Sequence, residues 1–501
     1  MNIRNIKIYN VLSQNYLIKA FSFLSLSQVI TLFTSFGILA LYTKNLAPSD
    51  FGKIALIWIF VLITSTIIDC RLNTAFSIKF YKVSKEENIK NIYSIFAYNL
   101  IVFFLIYFIF LSHTSLFQGI LKIQIEISDL NVIFLLILFM IFGNFYTNIL
   151  TVSQKPKEYF FVRLLFNIVL IISSVIYLKN LKLGYISYLK AYLNSYFIVS
   201  LLGLRFILIN YKPCKKNIIS LSNLKELLRL GLPMVPNGLM IMLLTWADRY
   251  ILNLYVDISI VGIYTIGYKF SAIVNSLIIT PFEKTLAPLL FKQFAKSQDE
   301  YKKTMRRVFK YCWLIALTTM MGYFVVLKEV YQFIIDVRYV TGYNIIAIVL
   351  FGVVLWMITD ILGTTVIMKE KTGKMFLFTS ISELKMYRLL PTLIPKYGMY
   401  GAAVATLLSY VLQFIIIFIY TQKLLFITYD YKFIFKSCFI SLCFFIFILF
   451  VSYLKIDIIM RLGLKIILFI LFFLVSYKFL ELKGSIRVIL DYVSKSKKTV
   501  S

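Results

Sequence analysis

Of the charged residues inside long apolar stretches of this sequence, nine have the side chains best placed to do chemistry. They are Asp69, Lys190, Asp248, Arg249, Lys269, Asp360, Glu383, Lys385 and Arg388. A charge held in an apolar medium costs roughly 2.5–3.5 kcal/mol, so it is kept where it faces water, a partner or a ligand. Ammonium and guanidinium groups bind phosphates through charge-assisted hydrogen bonds. The cations of this set therefore favour a binding path for an anionic group such as a diphosphate.

We predict that five cations form this path. They are Lys190, Arg249, Lys269, Lys385 and Arg388. The last two are three residues apart and share one face of a helix. The simpler alternatives are that Lys269 and Asp69 reach a membrane interface, and that Asp248 and Arg249 pair with each other for structural reasons.

The acids Asp248, Asp360 and Glu383 have two possible roles. An acid at membrane depth can bind a coupling proton or sodium ion, and it can equally be a permanent partner of a neighbouring cation. Both roles stay open at the level of sequence.

The composition shows what kind of medium surrounds these residues. Of the 501 residues, 60% are hydrophobic and only 15% are charged, a balance that predicts an all-α, polytopic membrane protein. The net charge of +31 comes mainly from lysines and arginines in the loops on one side of the predicted membrane, so it does not indicate nucleic-acid binding. The five cysteines include no C-x-x-C pair and there is one histidine, so we expect no disulfide, metal or cofactor.

Apolar stretches of about 20 residues predict fourteen membrane spans. Their approximate bounds are 18–41, 52–70, 92–112, 131–152, 160–178, 184–204, 231–256, 259–281, 309–327, 342–368, 375–394, 398–421, 433–454 and 464–480. Most lysines and arginines fall in loops on one side of this arrangement, which predicts that both termini lie in the cytoplasm. In span 7, Gly231, Pro233, Pro236 and Gly238 predict either a helix that bends as the cavity closes or a static kink, because Pro236 removes a backbone donor.

An internal repeat relates the two halves of the chain. Gly184, Ala191, Ser195 and Tyr196 align with Gly398, Ala405, Ser409 and Tyr410 at a constant offset. The connections after spans 1 and 7 also match, through Asn45-Leu46 with Gly52 and Asn253-Leu254 with Gly262. Two parallel six-span halves followed by two extra spans are the simplest account.

Four sequence patterns resemble a known family. They are NLAPSDFGKIAL from Asn45, GLPMVPNGLMIMLLTWADRYIL from Gly231, VGIYTIGYKF from Val261 with TPFEKTLAPLLFK from Thr280, and LIPKYGMYGAAVAT from Leu393. In order and spacing they are similar to the polysaccharide-exporting branch of the multidrug/oligosaccharidyl-lipid/polysaccharide exporter superfamily, especially the O-antigen flippases. Span 11 departs from that family, because it carries Glu383, Lys385 and Arg388 where the family is usually neutral.

The resemblance implies two six-helix bundles around a central cavity, as in MATE transporters. We expect an N-terminal bundle over 1–210, a C-terminal bundle over 211–425, and two extra spans with a cytoplasmic tail over 426–501. It also implies movement of a lipid-linked oligosaccharide across the cytoplasmic (inner) membrane by alternating access. Expected partners are this substrate, membrane lipids, and a polysaccharide polymerase with its chain-length machinery.

Several other functions stay open. Flippases for teichoic-acid, capsule or peptidoglycan precursors share the anionic lipid linker, and a small-molecule exporter of the same superfamily would share the fold. That exporter usually has an acid in its first span, and residues 18–41 contain none. A membrane polysaccharide polymerase would need catalytic groups in a large external loop. An ATP-driven exporter would need a phosphate-binding loop, and the sequence contains none. We therefore expect a transporter and not an enzyme.

Overall fold

The computed structural model describes residues 3–479 apart from 124, 214–217, 275–289, 291–292, 295–296, 370 and 455. Across these residues the chain forms helices and no strands, as the composition predicts. The helices of eight residues or more are α1 (Ile3–Asn45), α2 (Pro48–Asp69), α3 (Leu72–Lys79), α4 (Lys85–Ser112), α5 (Thr114–Leu121), α6 (Ile127–Val152), α7 (Pro156–Val175), α8 (Ile186–Asn210), α9 (Leu221–Gly231), α10 (Val235–Tyr255), α11 (Ile258–Val274), α12 (Gln298–Ile334), α13 (Tyr343–Met368), α14 (Thr372–Leu424), α15 (Tyr431–Tyr453) and α16 (Ile458–Phe479).

Local sequence explains where several helices begin. Ser84 accepts a hydrogen bond from the backbone of Glu87 at the start of α4, and Ser297 does the same for Glu300 at the start of α12. Asp430 caps α15 by accepting from the backbone of Phe433. These side chains satisfy backbone donors that have no partner within the helix.

Eleven helical segments of the described residues are long and apolar enough to cross a membrane. The sequence predicts fourteen spans, three more than this set. Two of the three correspond to α10 and α11, which are not in the set, and the third arises because α14 is counted once although it covers two predicted spans. Helix α14 covers the two predicted spans 375–394 and 398–421, and it changes direction at Gly398 with φ 55° and ψ −132°. The number fourteen stays a prediction, while the multi-pass helical class is confirmed.

The helical path is interrupted at the entrance to α10, within predicted span 7. A 3₁₀ turn at Leu232–Met234 joins α9 to α10, and Pro236 lies in the first turn of α10. The first-turn backbone donors have no intrahelical partner, so the missing donor of Pro236 lies where α10 begins. Bending of this helix during transport stays a prediction.

The chain divides into two compact units, Met1–Gly262 and Ile263–Ser501. In the first unit, α6 packs on α8, α1 and α8 pack on α7, and α2 packs on α6 and α10. In the second, α13 packs on α14, and α12 packs on α13, α15 and α16. The predicted bundle limits of 1–210 and 211–425 describe the repeat, and they stay a prediction.

Helix α9, which follows the first six spans, is held on the first unit by polar contacts. Asn223 donates to the Asn91 carboxamide at 3.0 Å, and the Ser220 backbone donates to the Ser94 hydroxyl at 2.9 Å. Lys79 forms an ion pair with Glu226. The chain leading into α10 is therefore fixed against α3 and α4.

The repeat-related tyrosines occupy similar positions in the two units. A Cβ atom at Gly143 of α6 would lie 3.1 Å from the ring of Tyr196, and one at Gly352 of α13 would lie 2.7 Å from the ring of Tyr410. In each unit, the absence of a side chain on one helix lets a tyrosine of the partner helix pack closely. This shared contact supports the repeat that the sequence alignment suggests.

Candidate functional site

Asp248 and Arg249 form a buried ion pair on α10. Their side chains are both 2% exposed, and Arg249 Nη1 donates to Asp248 Oδ1 at 2.7 Å. The guanidinium also donates to the carbonyl of Thr245 and lies 4.7 Å from the ring centre of Trp246. The structure thus brings these two predicted residues together, in the arrangement that the structural alternative expected.

Lys190 lies on the outward face of α8. It is partly buried near the start of the helix, and it is seven residues from Phe197 and eleven from Leu201, both exposed. At 100° per residue these positions fall on one side of the helix. Exposed apolar side chains on a membrane helix face lipid, so this position favours an ammonium group that reaches the headgroup region.

The other predicted cations lie in the second unit. Lys385 and Arg388 are exposed on α14, and neither forms an ion pair with any residue that the structure describes. They share their helix face with Ile381 and Leu384, which are also exposed. Lys269 of α11 is partly buried.

The two predicted acids of the second unit differ in exposure. Asp360 is exposed, although most residues of α13 are buried. Glu383 is 3% exposed and has no ion-pair partner among the described residues. The residue before Glu383 is Ser382, and its backbone carbonyl accepts a hydrogen bond from the Ser409 hydroxyl at 2.8 Å. This bond joins the two arms of α14, which lie on either side of Gly398.

The sequence reasoning missed a second buried ion pair. Lys465 of α16 donates to Glu329 of α12 at 2.8 Å, with side chains 1% and 8% exposed. Both residues lie at the edges of predicted spans, where charges are expected at an interface. Because α12 continues to Ile334, Glu329 lies more than a turn inside the helix.

A polar cluster at the end of α2 contains another missed residue, Arg71. Its guanidinium packs against Gly238 of α10 and lies near Asp69. Asn73 donates to the Asp69 carboxylate at 3.1 Å. The Asn99 amide lies beside the same carboxyl group but outside hydrogen-bonding geometry. The sequence did contain a signal for this cluster, since Asp69 was identified as a charged residue within span 2 and Arg71 lies two residues after it.

Aromatic residues of α1, α2 and α8 form a cluster in the first unit. The ring of Trp58 lies 4.8 Å from that of Tyr192 and 5.9 Å from that of Tyr188, and Tyr42 packs on Tyr188 at 5.2 Å. Trp58 and Tyr192 are partly exposed, while Tyr42 is fully buried.

Part of the predicted chemistry lies outside the described residues. This applies to most of the pattern that begins at Thr280, to the end of span 8, and to Cys214. The other four cysteines are free thiols.

Comparisons with known proteins identify one matching family and several similar structures. A family described as "Polysaccharide biosynthesis protein" matches residues 17–294. No curated protein sequence matches the chain. The structure is similar to that of the lipid II flippase MurJ in an inward closed conformation, with a TM-score of 0.73, 16% identity, and coverage of 92% of this chain and 99% of the other.

Two transporters show the same fold. An inward-facing multidrug resistance MATE family transporter of the MOP superfamily has a TM-score of 0.64 and 14% identity, covering 81% of this chain and 97% of its own. A MATE transporter from Vibrio cholerae has a TM-score of 0.57 and 11% identity, covering 83% and 97%. These neighbours are transporters and flippases, which agrees with the prediction that the chain is not an enzyme.

Proposed function

Because the chain belongs to the polysaccharide biosynthesis protein family and has the MOP superfamily fold, we propose that it is a flippase for an undecaprenyl-pyrophosphate-linked oligosaccharide. The substrate is an O-antigen or similar surface polysaccharide unit, moved across the cytoplasmic membrane by alternating access. The observation that carries this proposal is the extent of the match to a lipid II flippase, which covers almost the whole of both chains. A polymerase and its chain-length machinery would act on the product.

The charges at membrane depth support an anionic linker as the recognised group. The proposed contacts are Lys190, Arg249, Lys269, Lys385 and Arg388. Lys385 and Arg388 have no acidic partner in the described residues, and they share their helix face with the exposed Ile381 and Leu384, as Lys190 shares its own with Phe197 and Leu201. Arg249 is already neutralised by Asp248, so its guanidinium would contact the linker only through donors that the carboxylate leaves available.

Asp360 is the proposed coupling group, because it is an exposed acid on a helix most of whose residues are buried. A carboxylate in such a place can take up a proton or sodium ion during the transport cycle. Asp248 and Glu383 are then structural groups. Flipping that is unchanged after both gradients are collapsed would remove this role.

Reconstitution in proteoliposomes tests the proposed function. The purified chain and a fluorescent undecaprenyl-diphosphate oligosaccharide are placed in vesicles, and an impermeant quencher reports which leaflet holds the headgroup. We expect the wild type to equilibrate the leaflets, and Lys385→Gln with Arg388→Gln to slow this about tenfold or more, since each lost charge-assisted bond is worth about 1.5–3 kcal/mol. Lys303→Gln, at an exposed ion pair near the start of α12, is the matched control.

Two results would contradict the proposal. Vesicles that export a cationic dye but leave the lipid in place would identify a small-molecule exporter. In cells, deletion of the gene should leave lipid-linked oligosaccharide on the cytoplasmic leaflet, and normal surface polysaccharide after deletion would rule out this substrate in that pathway.

A further inference from the structure

Helix α2 has one partly exposed stripe on an otherwise largely buried surface. Trp58, Leu62, Ser65 and Asp69 are partly exposed, and their spacing of four, three and four residues places them on one face. Between residues 54 and 69, the other side chains are buried except Ile63 and Ile67. These side chains therefore keep accessible surface along one side of the helix.

The aromatic end of the stripe faces the interior of the unit. Trp58 packs edge-on against Tyr192 of α8 at 4.8 Å, and both rings keep some accessible surface. Tyr192 and the exposed Leu201 are nine residues apart, which puts them on opposite sides of α8. Tyr192 therefore lies on the side of α8 that faces away from lipid.

The polar end of the stripe holds hydrogen-bonding atoms without partners. Asn99 is 1% exposed, and neither atom of its amide group makes a hydrogen bond with a described residue. Asn73 Oδ1 and Arg71 Nε are also buried and make no hydrogen bond with a described residue. Buried polar groups are normally satisfied, so such a cluster calls for an explanation.

The backbone beside this cluster is strained. Cys70 and Arg71 have φ values of 46° and 56°, a left-handed conformation that residues with a side chain rarely adopt. Strain of this kind costs about 1–3 kcal/mol per residue and is typical of functional sites. It turns the chain from α2 into α3 and places Arg71 against Gly238 of α10.

From these observations we infer that the open face of α2, with Tyr192 and Asn99, binds the saccharide part of the substrate. A sugar presents apolar ring faces, which stack on aromatic rings, and many hydroxyl groups, which pair with amide, carboxylate and guanidinium groups. Residues 58 and 69 are about 16 Å apart along the helix, enough for several sugar rings. The inference rests on the proposed function and assigns its sugar contacts to the first unit.

Tryptophan fluorescence tests the aromatic end. The sequence has four tryptophans, and replacing Trp246, Trp313 and Trp356 by Phe leaves Trp58 as the only one. The probes are undecaprenyl diphosphate and the same lipid bearing a tetrasaccharide, each added to the protein in nanodiscs. We expect the saccharide lipid to shift the Trp58 emission and the sugar-free lipid to leave it unchanged. An equal response to both lipids would overturn the inference.

Flipping assays test the same end by function. Trp58→Ala should slow flipping of the tetrasaccharide lipid about tenfold, the loss expected for one aromatic stacking contact. Trp313→Phe is the control, because Trp313 lies in the second unit, where it donates to Ser437 of α15 and stacks on Phe309. Flipping of the tetrasaccharide lipid at the wild-type rate by Trp58→Ala would contradict the inference.

Asn99 provides the test that separates binding from folding. Asn99→Leu removes a buried amide beside the Asp69 carboxyl group, so binding of the tetrasaccharide lipid should weaken severalfold, and thermal unfolding measures the accompanying change in stability. Asn167→Leu is the matched comparison, since Asn167 is equally buried but bonds Thr31 at 3.1 Å and the Arg163 carbonyl at 2.9 Å. That variant should lose stability. Unchanged tetrasaccharide binding by a stable Asn99→Leu protein would exclude the polar end as a sugar contact.

The wild-type control distinguishes a failure of the α2 assignment from a failure of the proposed function. If the wild type flips the tetrasaccharide lipid but Trp58 and Asn99 variants behave like it, only the assignment to α2 fails. If the wild type flips no saccharide lipid, the proposed function fails and this inference with it.

Discussion

At the scale of single residues, charges at membrane depth could be found from sequence, but their partners could not. The pattern identified Asp248 and Arg249 because a charge inside an apolar run is visible in the sequence. It could not decide that they neutralise each other at 2.7 Å. It also missed Lys465 and Glu329, which are far apart in sequence and lie near span ends, where charges are expected.

The Glu329–Lys465 pair gives a prediction at this scale. Lys465→Met should lower the stability of the protein by about 3–5 kcal/mol, because it leaves Glu329 buried without its partner. Removing both charges, with Glu329→Leu and Lys465→Met, should restore most of this loss. The thermal unfolding midpoint in detergent measures both effects.

Lys303→Met provides the comparison for this test, since its pair with Glu300 is exposed and worth little. A single Lys465→Met variant as stable as the wild type would mean that Glu329 finds another partner or is neutral.

At the scale of helices, hydropathy located most of the spans because lipid requires long apolar runs. Boundaries were less certain where two spans are joined without a polar loop. The arms of α14 meet at Gly398, where Pro395, Lys396 and Gly398 mark the break predicted between spans 11 and 12, but no longer polar loop separates them. The local effect of Pro236 could not be predicted, because it depends on the distance of this residue from the start of α10.

The bend at Gly398 gives a prediction for this helix. Gly398→Ala should destabilise the protein by about 1–3 kcal/mol, because φ 55° with ψ −132° is open only to glycine. Gly373→Ala on the same helix is the matched control. At both glycines an added Cβ would meet no atom within 4 Å, so the two variants differ in backbone conformation alone.

Thermal unfolding of both variants is the measurement. Gly373→Ala should be neutral or slightly stabilising, since alanine restricts the unfolded chain. Equal stability of the two variants would show that the chain can straighten at residue 398 without cost.

At the scale of the whole molecule, the sequence predicted the class and the family, because composition and four spaced patterns carry that information. The sugar contacts proposed for α2 could not be predicted, since they depend on which side of α2 is left open by α6, α8 and α10. Hydropathy is similar on all sides of that helix, and only packing distinguishes them.

The topology of the chain gives a prediction at this scale. Positive loops predict that both termini lie in the cytoplasm. A green fluorescent protein fused after Ser501 should fluoresce, and alkaline phosphatase fused there should be inactive. The reverse pattern would require an odd number of spans or the opposite orientation. A phosphatase fusion within residues 122–126, in a predicted external loop, should be active.

The polar docking of α9 has a practical consequence for dividing the gene. The connector and α10 keep their packing partners only when they are expressed with the helices before them, so a cut between α10 and α11, at residues 256–257, yields a fragment that retains these contacts. A cut after residue 210 instead leaves the leucines of α9 and the inner side of α2 uncovered in water or lipid. Split-gene complementation and separate purification of the halves are best attempted at the later position.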